Sequence, residues 1–285
     1  MRIGIIGTEN SHGDHIIHHL NVEEAGGDAR VVALSGGRGP RNTALAEAGG
    51  IDLVVDEPTE LLPLVDAVIV TDRHGGLHRA HAVPFLTAGL PVFVDKPLAC
   101  SVADARAIID AAVAHDAPLT SSSALRWIPD TDALAADTAP GGPPLTVTAS
   151  GPADPGSEHG GVFFYGIHPV DVALRLAPGA LSPVHTHTTD ATVTTTFTAG
   201  ATRVVVNLVR PDGPRQIPFH AMVLTRDTVT ARELTLGPDY CVPGLEAFLD
   251  MARSHKPPID YADLLRPVQV LESVAGHVAR LRDGR

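Results

Sequence analysis

The sequence predicts an α/β chain in two parts: a doubly wound parallel sheet with helices on both faces, then an α+β part with a mostly antiparallel open sheet. Three observations predict it. Short apolar runs alternate with helical segments as far as about residue 125. From Leu145 the texture changes to Thr- and Val-rich segments of period two. The length, 285 residues, exceeds what one hydrophobic core usually organises. The division falls at 1–122 and 123–285, with the long C-terminal helix expected to pack back on the first part.

The first strand, residues 2–6, is an apolar run closed by Gly7, and residues 11–20 follow as a helix. A second strand at 30–35 leads to a helix at 42–48 that stops at Gly49-Gly50. The unit then repeats: strand 53–55, helix 59–64, strand 67–70, helix 77–88 stopped by Gly89, strand 91–94, helix 102–115 and a short strand at 119–121. Strands at 145–150, 191–199, 201–209, 221–225 and 228–236 form the second sheet, and helices at 245–254 and 263–281 close the chain. Residues 140–144 (PGGPP) and 152–156 (PADPG) are loops by composition.

Composition excludes several classes of function. A formal net charge of -12 argues against a nucleic-acid surface, which needs clustered Lys and Arg, so a small-molecule partner is expected. No apolar run approaches the ~18 residues of a membrane span, and no signal segment or anchor is read. With two cysteines far apart, Cys100 and Cys241, neither a disulfide framework nor a Cys-based zinc site is implied, and a cytoplasmic protein is expected. The 15 histidines raise the question of a metal. His12, His15, His18 and His19 sit at helical spacings, and His185 and His187 share one side of a strand, but neither set comes with a carboxylate and a cleft, so no metal is expected.

The turn after the first strand reads Gly7-Thr8-Glu9-Asn10-Ser11-His12. A dinucleotide turn would carry glycine at the second and third fingerprint positions, for close approach of pyrophosphate and of helix to strand. Here Glu9 and His12 stand there, with Gly13 one residue on. Asn10 and Ser11 also read as helix N-caps. After the second strand, Ser35 replaces the acidic residue that holds an adenosine ribose. With Arg38 and Arg41 close by, it favours NADP over NAD, unless that loop is merely solvated and basic.

The segment Val92-Phe93-Val94-Asp95-Lys96-Pro97-Leu98-Ala99 resembles the strand and (E/D)-K-P motif of the Gfo/Idh/MocA oxidoreductase family. Asp66-Ala67-Val68-Ile69-Val70-Thr71, with the later Leu77-His78, is similar to that family's fourth strand and loop. Gly166-Ile167-His168-Pro169-Val170-Asp171 is similar to its second-domain G-x-H-x-x-D. The matching segments run over nearly the whole chain, with a shorter second part than members usually have. The resemblance implies NAD or NADP as cofactor, bound by the Gly7 turn, Ser35, Arg38, Thr71, His74, His78, Asp95 and Lys96. It implies Lys96 beside nicotinamide and substrate and His168 as the proton-transferring group, with Asp171 orienting His168, contacting substrate or serving as a helix N-terminal charge. Many members carry an Asp four residues before this His, where the chain has Phe164. Tyr165 either supplies a hydroxyl or packs, and Arg126 either binds a substrate anion or forms an interdomain ion pair. The implied activity is NAD(P)-dependent oxidoreduction of a hydroxyl or carbonyl in a sugar-like or cyclitol-like molecule. The alternative is a lyase, hydratase, isomerase or ligand-binding pseudo-enzyme on the same scaffold. The resemblance also implies a homo-oligomer formed through the second sheet.

Overall fold

A computed structural model describes residues 1–37, 39–213 and 216–283. The chain divides into two compact units, Met1–Ser122 with Cys241–Leu265, and Ser123–Tyr240 with Arg266–Arg285.

The first unit is a six-stranded, all-parallel sheet of β1 (Arg2–Ile6), β2 (Arg30–Ser35), β3 (Leu53–Val55), β4 (Ala67–Val70), β5 (Val92–Val94) and β6 (Leu119–Thr120) in the order β3-β2-β1-β4-β5-β6. The central strands β4 and β5 are buried throughout, which is why they read as unbroken Val- and Ile-rich runs. Consecutive crossovers move outward from β1 on one side and, after β3, from β4 on the other, so the carboxyl ends of β1 and β4 flank the reversal point where such sheets take ligands. The connecting helices are α1 (His12–Ile17), α2 (Gly39–Gly49), α3 (His78–Thr87) and α4 (Val102–Ala114). The helix expected over 11–20 changes to π-helical turns at His18–Val22, and that expected over 59–64 is a 3-10 turn at Pro58–Leu61.

The boundary drawn at 123–285 needs correction. Helix α7 (Val242–Ser254) clusters with the first unit because its apolar face has no other core to enter. Leu245, Phe248, Leu249 and Met251 are buried among Ile3, Ile5, Ile69 and Phe93, and the Phe248 and Phe93 rings lie 5.7 Å apart. Of the long helix α8 (Tyr261–Arg282), the part from Arg266 clusters with the second unit; α7 is the helix that returns to the first.

The second unit holds β7 (Thr146–Pro152), β8 (His185–Thr188), β9 (Thr192–Ala199), β10 (Thr202–Val209), β11 (Phe219–Leu224) and β12 (Val229–Leu234) in the order β12-β11-β7-β10-β9-β8. Neighbours are antiparallel except β7 and β10, which run parallel. Helix α5 (Pro129–Thr138) packs on β11 and β12, and α6 (Phe163–Leu176) on β7, β10 and β11. Val147, Ala149, Val204 and Val206 turn inward, whereas the alternate residues Thr148, Ser150 and Asn207 are only partly covered. Asn207 there links Thr194 (3.0 Å) to Ser150 (3.3 Å) across three strands. His185 and His187 are both exposed along β8, on one side as their spacing predicts. Among the described residues no helix is long and apolar enough to cross a membrane.

Candidate active site

The turn after β1 is built by close backbone approach. Gly7 has φ +83°, and its amide donates to Ser35 O at 3.0 Å. The Thr71 hydroxyl, at the end of β4, donates to Gly7 O at 2.6 Å. Thr8 is fully buried; its hydroxyl bonds the Asn42 side chain, whose amide in turn holds Gly36 O at 2.6 Å. Thr8 and Thr71, expected to face a cofactor, therefore point their hydroxyls into the protein. Arg41, read as a loop cation, braces the same turn: it donates to Thr8 O at 3.0 Å and pairs with Asp14, Nη1 to Oδ1 at 2.8 Å. Arg38 lies outside the described residues.

Glu9 and Ser11 are exposed; Ser11 occupies the N-cap position without a side-chain capping bond, and Asn10 Oδ1 accepts the His12 amide at 3.2 Å. Asn10 and His12 also reach across to the loop after β5. Asn10 Nδ2 and His12 Nδ1 both lie 2.9 Å from Asp95 Oδ2. The imidazole at a glycine position of the fingerprint is thus a partner for Asp95, one residue before Lys96.

Asp95 and Lys96 are both buried, and the Lys96–Pro97 peptide is cis. Burial alone would push the Asp95 carboxyl up, but His12 and then Lys96 outweigh it and hold the group down at about 2. Burial is also the main influence on Lys96 and lowers its pKa; Arg73 adds to this and Asp95 opposes it. A depressed carboxyl stabilises the fold above its unfolded pKa of about 4, and the benefit fades as pH falls toward 2. At about 1.4 kcal/mol per pH unit, Asp95→Asn should cost about 2 kcal/mol at pH 6 and about half that at pH 3. Urea unfolding at the two pH values checks this; an equal cost at both would overturn it.

His78 is fully buried, with Nδ1 2.7 Å from Pro97 O and Nε2 3.0 Å from Asp72 O. It braces the K-P loop against the loop after β4, which corrects its expected role as a ligand contact. His74 is half-buried and accepts the Gly76 amide at 3.0 Å. Asp72 and His81, which the sequence did not single out, form a 2.7 Å pair; the hydrogen bond that Asp72 accepts from the ring, with its charge, outweighs burial and raises the His81 pKa.

In the second unit, α6 is buried along its length except at Tyr165 and Arg175. His168 Nδ1 lies 2.6 Å from Ser123 Oγ. Asp171, three residues on, accepts the Ser123 amide at 2.9 Å and pairs with Arg126 at 2.8 Å. Asp171 and His168 thus both meet Ser123, one at its amide and one at its hydroxyl. The Arg126 charge meets a carboxylate within its own unit, which corrects the expectation of an interdomain pair. Tyr165 is half-exposed, stacked edge-on with Phe164 at 4.8 Å and 5.9 Å from the His168 ring. The other side of His168 meets Phe219 at 5.3 Å, in space that Gly151 leaves open: a Cβ there would lie 2.5 Å from the Phe219 ring. Tyr165 and Phe219, with Ile217, Pro218, Glu233 and Leu234, line a cavity of about 730 Å³, within the usual range for small-molecule sites.

Two observations bear on a dinucleotide. Ser35 Oγ, at the carboxyl end of β2, is buried with no hydrogen-bond partner, and a Cβ at Gly13 would meet nothing within 4 Å, so the turn has room in front of it. Together with the buried ammonium of Lys96, these residues fit the group. Among the described residues no group of three or more His, Cys, Asp or Glu could hold a metal ion.

Residues 1–122 match the model described as the oxidoreductase family with NAD-binding Rossmann fold, GFO_IDH_MocA. An inositol 2-dehydrogenase of Agrobacterium fabrum is 35% identical over 133 residues, 44% of this chain and 37% of that one. One from Gluconacetobacter diazotrophicus is 36% identical over 116 residues, 40% and 33% of the two chains. The matched stretch thus spans little more than a third of these relatives. Among solved structures, the fold is shared with a Gfo/Idh/MocA family oxidoreductase from Vibrio cholerae (TM-score 0.78, 21% identity, 99% of each chain). It is shared also with the myo-inositol dehydrogenase of Lactobacillus casei, solved with NAD(H) and myo-inositol (TM-score 0.80, 18% identity, 98% and 94% covered).

Proposed function

We propose that this chain, whose residues 1–122 match the Gfo/Idh/MocA oxidoreductase family model, is an NAD(P)-dependent oxidoreductase of that family. Its substrate is a hydroxyl or carbonyl of a sugar-like or cyclitol-like molecule. The observation that carries this reading is the buried Lys96 ammonium at the end of β5, held beside Asp95 on a parallel sheet of this topology. A nicotinamide supplies the hydride acceptor or donor when bound. Ser35, the backbone of the Gly7 turn and Lys96 would hold it. The Lys96 ammonium hydrogen-bonds the reacting oxygen and draws charge onto it, and His168 takes or returns the oxygen's proton. The cavity beside Tyr165 and Phe219 takes the body of the substrate, whose ring C–H faces suit aromatic walls and whose hydroxyls suit Glu233. Subunits associate through the Thr- and Asn-rich outer face of the second sheet.

Fluorescence titration of the purified chain with NADPH and NADH tests the reading. Ser35 sets no negative charge against a ribose 2′-phosphate, so NADPH should bind no more weakly than NADH. Absence of binding for both at millimolar levels would sink it in favour of a non-redox activity. The Asn10 and His12 side chains, both held on Asp95, are the feature that such an outcome would make decisive.

A further inference from the structure

His168 lacks the carboxylate four residues upstream, because Phe164 stands there, 8% exposed, with its ring against His159 and Tyr165. What faces Nδ1 instead is the hydroxyl of Ser123, itself completely buried. We propose that Ser123 is the positioning residue for the His168 imidazole, a hydroxyl that accommodates either ring tautomer where a carboxylate would accommodate one. The inference rests on His168 being the proton-transferring group.

The chemistry follows from donor and acceptor counts. An ionised carboxylate only accepts, so it holds a neutral imidazole with hydrogen on Nδ1 and leaves Nε2 basic. A hydroxyl has one donor and two acceptor sites. In one arrangement Nδ1–H donates to Ser123 Oγ, and Nε2 can take a proton from a substrate hydroxyl. In the other, Ser123 O–H donates to Nδ1, the ring carries its hydrogen on Nε2, and a neutral imidazole can hydrogen-bond a substrate carbonyl oxygen. Proton number on the ring is the same in both, and the exchange involves rotation of one hydroxyl hydrogen with relocation of the ring hydrogen through solvent or substrate.

The surroundings hold Oγ in place. The Leu125 amide donates to Ser123 Oγ at 3.1 Å and fills one acceptor site. The Ser123 amide is fixed by Asp171 Oδ2 at 2.9 Å, and Asp171 by Arg126 at 2.8 Å, which confines the carboxylate's charge to the backbone side of the serine. Phe219 and Tyr165 pack on the imidazole at ring distances of 5.3 and 5.9 Å, so rotation of the ring is not the means of exchange. The 2.6 Å contact is at the short end for a hydroxyl bond and keeps the two groups coupled in either form.

The test is ¹⁵N NMR of the full chain labelled at histidine, with the His168 signals identified by their loss in His168→Ala. The intact protein should give nitrogen shifts averaged between the tautomers. Ser123→Asp should drive them to the Nδ1–H form and raise the His168 titration midpoint by about one pH unit or more, as an added carboxylate favours the imidazolium. Ser123→Ala should alter the tautomer balance, whereas Ser123→Thr, which keeps the hydroxyl, should retain it and guards against a folding artefact. In turnover assays, Ser123→Ala should lower kcat about tenfold at constant KM, and Ser123→Asp should move the acidic limb of alcohol oxidation upward by the same shift as the NMR midpoint. Unchanged tautomer balance and midpoint in both Ser123→Ala and Ser123→Asp would overturn the inference. NMR shifts of the expected kind in a protein that binds neither nicotinamide cofactor would leave Ser123 as the partner of His168 and remove the oxidoreductase reading instead.

Discussion

Lys96→Met should lower kcat/KM about a thousandfold in either direction while the protein remains folded. Positioned proton-transfer and hydrogen-bonding groups contribute about 10²–10⁴ to rate, and Met keeps the length of the lysine stem without its ammonium. Asp95 keeps two partners, since Asn10 and His12 remain at 2.9 Å. Burial lowers the Lys96 pKa, so the folded state disfavours the charged form. The unfolded state binds the extra proton more readily, and native stability rises as pH climbs toward the ordinary lysine value. Met should therefore be neutral or stabilising at pH 7, with the gain shrinking as pH rises toward about 10 and gone above it. Steady-state rates beside urea unfolding at both pH values check it; equal loss of activity and of stability would mean that Lys96 is structural.

Gly7→Ala should destabilise the first unit at the carboxyl ends of its central strands β1 and β4, at a cost of about 4 kcal/mol. The new Cβ would lie 2.5 Å from Asp72 N and 2.7 Å from Asp72 Cα, and φ is +83°. A left-handed alanine costs about 1–2 kcal/mol, and overpacking against atoms that cannot rotate away adds about 1–3. The movable element is the loop after β4, so the Thr71 bond to Gly7 O and the Asp72–His81 pair should loosen together. Denaturant unfolding measures the cost, and a change below about 1 kcal/mol would show that this backbone approach is softer than its distances imply.

The parallel sheet was legible because buried strands such as Ala67–Val70 carry apolar side chains on both faces and end at turn residues. The span of α6 was not: apart from Tyr165 and Arg175 it is buried all round, with Pro169 inside, so it shows no polar stripe to set a helical period. Helix α5 did carry a start signal, Pro129 at its first turn with Asp130 and Asp132 following, but amid short helices its weak apolar face gave little contrast. Lys96, His168 and Asp171 were legible as motif residues. Their partners were not, because Ser123 meets His168 across 45 residues and Asn10 meets Asp95 across 85, separations that no local pattern encodes. The side chains of Thr8, Thr71 and His78 were assigned to a ligand because motif position gives a residue's place in a turn and not the direction of its polar atoms.

The return of α7 has a consequence for how the protein is made. Translation releases residues 1–122 first, yet Ile3, Ile5, Ile69 and Phe93 share their core with Leu245, Phe248 and Leu249. A nascent chain halted at residue 122 exposes that apolar surface, and the whole second sheet must leave the ribosome before the helix that covers it is available. The first unit therefore begins folding before the second sheet is made and is completed only after it, and a recombinant 1–122 fragment should be aggregation-prone until a peptide spanning 241–265 is supplied.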